Sequence, residues 1–429
     1  MIKYGILFVL LIAFSSMRAI AQSLTIDECV EKAQANYPAV KQYKLIEQSR
    51  NYSMANATKG WLPQIGVSAG AYGFTDIIDN DLLNMMGVDM ENYLLNGSVT
   101  LSQNIYDGGQ ISTSKRITQA QAEVERRQLD VTMYEIDEKV QQIFFGILMI
   151  DEQIEQNRLL QEDLSISYNS VESMMKGGIA NQSDLDAIKV EQVKARQQLG
   201  SLQSSRKAYV RMLGIFIGEP LDERCTLQTP SPSMTTIRFW SEDLILRPEL
   251  TYYSAQERLL DEQRKRLNSD LRPTLSAFAT GMIHNSVTDM INNGILVGGL
   301  SLSWNIGALY TRKNDIQKLN LQRLTIASNR ETFLFNNRLQ NEDSNGAIEN
   351  LKTQIEQDDE IVSLRESIRS KSEKKVESGT ESVNEMLRDI NAVSQARQQK
   401  ALHEIQLTKE IYNLNHIRGT TSSNPNYNY

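Results

Sequence analysis

Residues 95–105 read LNGSVTLSQNI, and this stretch decides the fold. Its apolar residues share one face and its polar residues share the other: Leu95, Val99, Leu101 and Ile105 against Asn96, Ser98, Thr100, Ser102 and Asn104. An alternation with a period of two predicts a β-strand, because successive side chains of a strand point to opposite faces. The strand predicted over 94–106 is long enough to cross a bilayer, which takes about 9 to 11 residues of a tilted strand.

Three other segments repeat this pattern. Small or apolar residues alternate with polar ones over 63–74, 273–283 and 295–306, so the sequence predicts four strands in two pairs. Within each pair the strands are joined by a long loop rich in Asp and Asn, Thr75–Glu91 in the first and Ile283–Gly294 in the second. Such loops are typical of the outward-facing ends of membrane strands, whereas the other strand ends run directly into helices.

The second pair of strands belongs to a second copy of a larger unit. Pro38 and Pro63 recur 210 positions later as Pro248 and Pro273, and Pro63 and Pro273 each open a predicted strand. A period of about 200 residues is far beyond the roughly 20 to 50 of solenoid repeats. The chain is therefore a duplicated, domain-sized element.

Each copy also predicts a long helical hairpin. The residues from Gln110 to about Lys176 contain no Pro and one Gly, which predicts a helix roughly 100 Å long. Its apolar residues follow the 3-4 spacing of a coiled-coil seam, which polar Asn157 and Gln161 interrupt. The chain reverses at Gly178, and a matching seam predicts an antiparallel partner that completes the first hairpin over 110–213. The second copy follows the same plan over 308–416 and turns at Gly379.

These elements give the predicted organisation. Residues 1–21 are expected to be a secretory signal, because a ten-residue apolar run precedes a small-residue cleavage site. The first repeat then covers 22–213 and the second 248–419, joined by a linker at 214–247. The tail at 420–429 is expected to be disordered.

The composition disfavours nucleic-acid binding, a disulfide-rich scaffold and a transmembrane helix. With 45 basic against 53 acidic residues and a net charge of −8, the chain is a poor partner for nucleic acid. Two cysteines, Cys29 and Cys225, make no disulfide scaffold, and the sequence leaves open whether they pair. No segment after residue 21 has 18 consecutive apolar residues, so no transmembrane helix is expected.

None of the catalytic or metal-binding patterns in the sequence occurs in the structural context that its chemistry requires. Residues 66–70 match the GxSxG pattern of a hydrolase, but Ser68 lies inside an alternating strand and not at a strand-to-helix elbow. The three histidines, His284, His403 and His416, lack metal-ligand spacing. The sequence therefore predicts a protein that is not an enzyme and needs neither a cofactor nor a metal.

Four amphipathic strands predict an oligomer. In lipid the open edges of a four-stranded sheet would leave backbone groups unsatisfied, and membrane barrels have at least about eight strands. Two copies would supply eight strands and a plugged interior, and three would supply twelve and a lumen. Aromatic residues at the helix-bearing strand ends suit a membrane interface, namely Trp61, Tyr106 and Trp304. The alternative is a soluble sheet with buried tryptophans.

The ordered set of motifs resembles the TolC-like outer membrane efflux proteins. The resemblance rests on the helix starts Asn-Tyr-Pro-Ala-Val (36–40) and Arg-Pro-Glu-Leu (247–250), the strand starts Leu-Pro-Gln-Ile (62–65) and Arg-Pro-Thr-Leu (272–275), the segment Asn-Ile-Tyr-Asp-Gly-Gly (104–109), and two glycine-centred hairpin turns. It covers nearly all of the chain after the signal.

The resemblance implies a fold class and a location. The fold is mainly α with a small β part, built from a duplicated helix-strand-strand-helix unit. Four strands contribute to a trimeric, twelve-stranded transmembrane β-barrel, and the hairpins form a long coiled-coil helical barrel. The barrel would contact the lipid of the outer membrane of a Gram-negative bacterium, and the helical tunnel would lie in the periplasm.

The resemblance also implies where function concentrates. The hairpin tips would form the periplasmic entrance and dock a periplasmic adaptor, or membrane fusion protein: Lys176, Gly177, Gly178 and Ile179, with Ser378, Gly379 and Thr380. Acidic residues would surround the aperture: Asp184, Glu381, Glu385 and Asp389. Glu381, Glu385 and Asp389 are spaced to share a helix face, and three copies of Glu385 would form a ring. An equally open interpretation is that Asp184 and Glu385 only cap helix starts.

The implied function is that of a homotrimeric exit duct of a tripartite efflux system, passively conducting substrates from an inner-membrane transporter and its adaptor. Two alternatives remain open, the outer-membrane channel of a type I protein secretion system and a soluble periplasmic coiled-coil adaptor. The chain departs from the best-known family members at Val376 and Glu381, where those members have a Tyr and an Arg that lock the closed entrance. The contacts that close the entrance must therefore differ, and the substrate and the pump are not specified by the sequence.

Overall fold

The computed structural model describes residues 23–73, 93–230, 245–284 and 294–420. The predicted signal at 1–21, the loop 75–91, most of the loop 283–294, part of the linker and all but the first residue of the predicted tail lie outside these residues. The helices in order are α1 (Ile26–Asn36), α2 (Lys41–Thr58), α3 (Gln110–Lys176), α4 (Gln182–Ile217), α5 (Pro248–Ser269), α6 (Ala308–Glu377) and α7 (Val383–Arg418). The strands are β1 (Gln64–Gly73), β2 (Tyr93–Tyr106), β3 (Thr274–His284) and β4 (Ile295–Ser303).

These elements pack as two compact units, each of which combines segments of both sequence repeats. The first, called the hairpin unit, comprises Met1–Val40, Val131–Pro248 and Phe333–Tyr429. The second, called the sheet unit, comprises Lys41–Asp130 and Glu249–Thr332. Packing therefore divides the chain differently from the sequence duplication, because corresponding segments of the two repeats pack against each other.

The sheet unit contains one antiparallel sheet in the order β1-β2-β3-β4. The strand register aligns the apolar face of each strand with the apolar faces of its neighbours, and the polar faces likewise. Val67 pairs with Val99, Val99 with Gly281, and Gly281 with Leu296, so that one face of the sheet is apolar across its whole width. Ser68 pairs with Ser98 on the opposite face, where their hydroxyl oxygens lie 2.7 Å apart. The predicted fold class, mainly helical with a small antiparallel sheet, is confirmed.

Two strand ends differ from the predicted alternation. A register shift between Asn104 and Tyr106 sets Tyr106, rather than Ile105, opposite Leu275. Such a bulge adds one residue to a strand and turns its end away from regular pairing. The strand predicted to reach residue 306 ends at Ser303, because Ser303 pairs with Thr274, the first residue of β3. Beyond it Trp304 donates its indole N–H to the Leu271 carbonyl (3.0 Å), and the chain turns into α6.

The turn between β2 and α3 explains the Asp-Gly-Gly motif. The carboxylate of Asp107 is buried and accepts backbone N–H groups of Gly109 (2.8 Å) and Ile111 (2.6 Å), which α3 leaves without helical partners. Gly108 has φ +66°, and a Cβ there would lie 3.0 Å from Cβ of Arg272. The motif therefore fixes the start of the long helix against the start of β3.

The hairpin unit has two main apolar clusters. The first, called the base cluster, packs α1 against α3 and α4 through Cys29, Val140, Phe144 and Leu213, among others. The second, called the tip cluster, is described below. The structure carries α4 beyond the predicted end at 213, because Leu213 and Ile217 are both buried and Gly218, at φ +76°, supplies the left-handed cap that ends the helix.

Both cysteines are free thiols, although Cys225 packs against the same base cluster that contains Cys29. Burial raises the pKa of the Cys29 thiol to about 12, so it is protonated and unreactive at neutral pH. Cys29 therefore serves as a small apolar core residue in this structure.

The arginine of the Arg-Pro-Glu-Leu motif belongs to the hairpin unit. Arg247 lies over the ring of Tyr134, with its guanidinium carbon 4.7 Å from the ring centroid, and donates to the carbonyl of His416 (3.2 Å). The Tyr134 hydroxyl donates to the same carbonyl (2.7 Å) and its ring stacks on His416. Burial, and then the charge of Arg247, lower the pKa of His416 to about 3. The motif therefore fastens the last turn of α7.

None of the helices in the described ranges has a stretch long and apolar enough to span a lipid bilayer.

Candidate functional site at the hairpin tips

The first tip is a glycine-centred turn that ends α3. Gly178 has φ +79°, and its N–H donates to the carbonyl of Met175 (3.1 Å), while the N–H of Ile179 donates to Met174 (2.9 Å). These two bonds form a Schellman motif, which needs a left-handed residue at the position of Gly178. Lys176 is the last residue of α3, and its ammonium group pairs with Glu172 (3.2 Å) on the same helix.

The second tip has the same geometry. Gly379 has φ +72°, and its N–H donates to the carbonyl of Val376 (2.9 Å), while the N–H of Thr380 donates to the carbonyl of Lys375 (2.9 Å). The hydroxyls of Ser378 and Thr380 lie 3.1 Å apart, and each also donates to the Lys375 carbonyl. The sequence duplication therefore extends to individual hydrogen bonds at the tips.

The two tips lie side by side. A Cβ at Gly379 would lie 3.8 Å from Cγ2 of Ile179. Below them the tip cluster joins both hairpins through buried Leu164, Val171, Ile188, Met386 and Ile390, with other apolar residues around them. Ile179 itself is 56% exposed. The tips therefore present one joint surface of glycine, hydroxyl and isoleucine groups on a shared apolar core.

The acidic residues after the glycines cap helices. Asp184 and its N-cap residue Asn181 exchange side-chain and backbone hydrogen bonds of 3.0 and 3.2 Å at the start of α4. Glu385 does the same with Ser382 at the start of α7, and it also accepts the Ser382 hydroxyl (3.1 Å). Hydrogen bonds from the backbone and side chain of Ser382 lower the pKa of Glu385. Glu385 is exposed, so capping and a role at an aperture are compatible.

The predicted helix face of Glu381, Glu385 and Asp389 is wrong at its first member. Helix α7 begins at Val383 with Ser382 as its N-cap, so Glu381 precedes the helix. A spacing of four residues places side chains on one face only inside a helix. Glu381 instead lies 3.5 Å from the Lys375 ammonium across the turn, and its side chain is 17% exposed, whereas Asp389 lies half-buried on α7.

Val376, the other departure from the family pattern, is a core residue. It is 3% exposed and belongs to the tip cluster. A valine cannot form the hydrogen bonds of a tyrosine, so this position contributes apolar packing in place of a polar lock.

A charged network that sequence reasoning missed connects the two hairpins. Arg369 on α6 binds Asp163 on α3 with two parallel hydrogen bonds of 2.6 and 3.0 Å. Arg397 on α7 lies 3.8 Å from the same carboxylate and binds Glu366 on α6 at 2.6 Å. The side chains of Asp163 and Arg369 are only 20% and 15% exposed. No motif or spacing marks Asp163 in the sequence, because its partners are about 200 residues away.

We expect this network to hold the hairpins together. A double-mutant cycle of Asp163→Ala and Arg369→Ala should give a coupling free energy of about 1 to 2 kcal/mol in chemical unfolding, because the pair is bidentate and mostly shielded from water. The exposed pair Arg158 and Glu155, one turn apart on α3, is the control and should give no measurable coupling. Equal coupling in the two pairs would show that Asp163 does not fasten the hairpins.

The sheet unit carries the predicted interface aromatics. The strand register places Trp61, Tyr106 and Trp304 at the same end of the sheet, where Gln64 lies opposite Ser102 and Thr274 lies opposite Ser303. All three are exposed, Trp304 by 60%. The prediction that they share one end of the sheet agrees with the register, and their contact with a membrane stays a prediction.

The residues considered for catalysis and metal binding have structural roles. Ser68 lies in the middle of β1, where its hydroxyl contacts that of Ser98, and not at a strand-to-helix elbow. His403 Nδ1 lies 2.6 Å from Asp358 in the hairpin unit, and the side chain of His284 is outside the described residues. Within the described ranges no group of three or more His, Cys, Asp or Glu is arranged to hold a metal.

The fold matches solved structures over nearly its whole length. The chain is similar to CusC, whose description refers to transmembrane channel formation, with a TM-score of 0.71 and 12% identity over 92% of each chain. It is also similar to the outer membrane protein VceC of Vibrio cholerae (TM-score 0.66, 11% identity, 92% of this chain and 96% of that one). The outer membrane channel CmeC of Campylobacter jejuni matches with a TM-score of 0.65 at 13% identity, covering 92% and 85%. Identities this low establish the fold.

At the level of sequence, residues 29–218 match the family model described as outer membrane efflux protein. This range covers most of the first repeat, and within it the match confirms the resemblance that the motifs indicated. No curated protein sequence is significantly similar to the chain.

Proposed function

We propose that this chain, whose residues 29–218 match the family model of the outer membrane efflux proteins, is the outer-membrane exit duct of a tripartite efflux system. In this proposal three copies join their sheets into one twelve-stranded barrel in the outer membrane, and their hairpins form a tunnel in the periplasm. The duct is passive and conducts what an inner-membrane transporter and its periplasmic adaptor deliver. It performs no catalysis.

The observation that carries the proposal is the uncovered apolar face of the sheet. On β4, Leu296 is 81% exposed and Leu300 is 69% exposed. On β1, Val67 is 78% exposed and Ile65 is 73% exposed. The four strands contain no Asp, Glu, Lys or Arg, although 23% of the chain is charged. A monomeric soluble protein rarely exposes so continuous an apolar patch. Lipid is the environment that accepts it, provided that further copies pair the sheet edges.

The hairpin tips support the part of the proposal that concerns docking of a periplasmic adaptor. Two adjoining turns with matching hydrogen bonds offer a rigid surface to a partner, and the exposed Ile179 supplies an apolar contact. We assign adaptor docking to this joint surface. The capped acids Asp184 and Glu385 would then lie near the aperture, where repeated carboxylates favour cations.

Membrane fractionation with gel mobility tests the proposal. The chain should sediment with outer membranes, and an unboiled sample should migrate as an oligomer that boiling converts to the monomer. The purified oligomer should also conduct ions across a planar bilayer. A monomer in the soluble periplasmic fraction would refute the duct.

A further inference from the structure

A polar cavity of about 300 Å³, open to solvent on one side, lies in the hairpin unit where α3, α4 and α7 converge. Each helix presents residues at positions i, i+3, i+4 and i+7, which on α3 are Gln153, Gln156, Asn157 and Leu160. Residues with this spacing share one face of a helix. The cavity is therefore formed by three complete helix faces and not by a chance gap between loops.

The cavity replaces a layer of the coiled-coil seam. Along α3, the last residues of the base cluster are Leu148 and Met149, and the first residue of the tip cluster is Leu160. Apolar residues between them would continue the seam and stabilise the hairpins, and a polar residue in such a seam lowers stability. A mostly polar layer at this cost points to a role other than stability.

The lining includes four glutamines whose side chains have no partner among the described residues. Gln153, Gln198, Gln395 and Gln398 line the cavity, and within the described part of the chain none of their side chains hydrogen-bonds to another residue. Each amide offers two donors and one acceptor oxygen. The cavity thus presents several donors and acceptors from different helices that a ligand can bind in place of water.

The charges in the lining neutralise each other. Glu191 binds Lys194 at 2.8 Å on α4 and also lies 3.5 Å from the Asn391 amide on α7. An ionic ligand would find no unpaired counter-charge, and an apolar ligand would strip water from the amides without replacing its hydrogen bonds. The lining therefore selects neutral molecules that carry many hydroxyl and amide groups.

We propose that this cavity binds a neutral acetylated amino sugar of the cell-wall glycan, whose hydroxyl and acetamido groups match the amide donors and acceptors. The proposal rests on the proposed function, which places the hairpin unit between the two membranes, where that glycan lies. A volume of about 300 Å³ is at the small end of ligand sites and suits one or two sugar units.

The test uses the full-length chain purified in detergent and N,N′-diacetylchitobiose as the probe. Titration calorimetry should detect binding of this disaccharide, and cellobiose, which has the hydroxyls but no acetamido groups, should bind more weakly. Gln395→Leu and Gln398→Leu should each weaken the binding of the probe about tenfold, the effect of one lost hydrogen bond. Gln399→Leu is the matched control, because Gln399 is exposed on α7, as Gln395 is, but does not line the cavity.

Three results would overturn the proposal: no binding of the acetylated disaccharide at millimolar concentration, equal binding of cellobiose, or equal effects of the three substitutions. Circular dichroism and unboiled gel mobility of each variant confirm that it folds and assembles. Because bilayer conductance is measured on the same samples, failure to bind the sugar with intact conductance refutes the sugar site and leaves the duct standing.

Discussion

Leu300→Lys is expected to abolish assembly in the outer membrane, whereas Ser301→Lys one residue later should permit it. Leu300 lies on the apolar face of β4 opposite Ala277, and Ser301 lies on the polar face opposite Ser276. If the apolar face meets lipid, a lysine there costs about 2 to 4 kcal/mol near the middle of the bilayer. An oligomer repeats that cost in every copy.

The same substitution has a different effect if the sheet is covered by water. Leu300 is 69% exposed in the single chain, and changes at exposed surface positions are usually within about 0.5 kcal/mol of neutral. A soluble sheet would therefore tolerate Leu300→Lys and gain solubility. The two environments predict opposite results for one residue.

The measurement is the fraction of chain that is recovered in outer membranes as a boiling-sensitive oligomer. Ser301→Lys controls for the added charge and for expression, since it introduces the same side chain at the neighbouring position. Full recovery of the Leu300→Lys oligomer would contradict a lipid-facing role for this surface. Loss of both variants would instead indicate that β4 tolerates no lysine.

The sequence predicted those parts of the fold that depend on short-range periodicity. Alternation placed all four strands within a few residues of their ends, and the absence of proline from Gln110 to Lys176 predicted the extent of α3. The tip glycines were also predictable, because a helix reversal needs a left-handed residue and glycine adopts it at little cost. These signals are local, so one sequence contains them.

The contacts between segments distant in sequence were not predictable. Asp163 meets Arg369 only because the two hairpins pack together. Val376 could be recognised as a departure from the family pattern but not as a core residue, since the cluster that buries it combines residues of both hairpins. The polar interruption at Asn157 was visible in the sequence, but the cavity needs α4 and α7 as well. The bulge near Ile105 follows from pairing with β3.

Gly178→Pro and Gly379→Pro should abolish export and leave insertion of the sheet intact. Both glycines have φ above +70°, whereas proline fixes φ near −65°. Proline also removes the N–H groups that donate to Met175 and Val376. The turn must therefore rearrange at a cost of about 3 kcal/mol or more, and the joint tip surface is lost with it.

Gly178→Asn and Gly379→Asn are the matched controls, because asparagine tolerates the left-handed conformation at a cost of about 1 kcal/mol and keeps the N–H. Export is measured in the native host as the resistance or dye extrusion that the wild-type chain restores to a strain lacking its gene. Unboiled gel mobility of the outer-membrane fraction measures insertion. If the asparagine variants export and the proline variants do not, the requirement is for the geometry of the turn and not for glycine itself. Full export by a chain with proline at both positions would show that the tips are not the docking surface, because no rigid turn would remain there for a partner to bind.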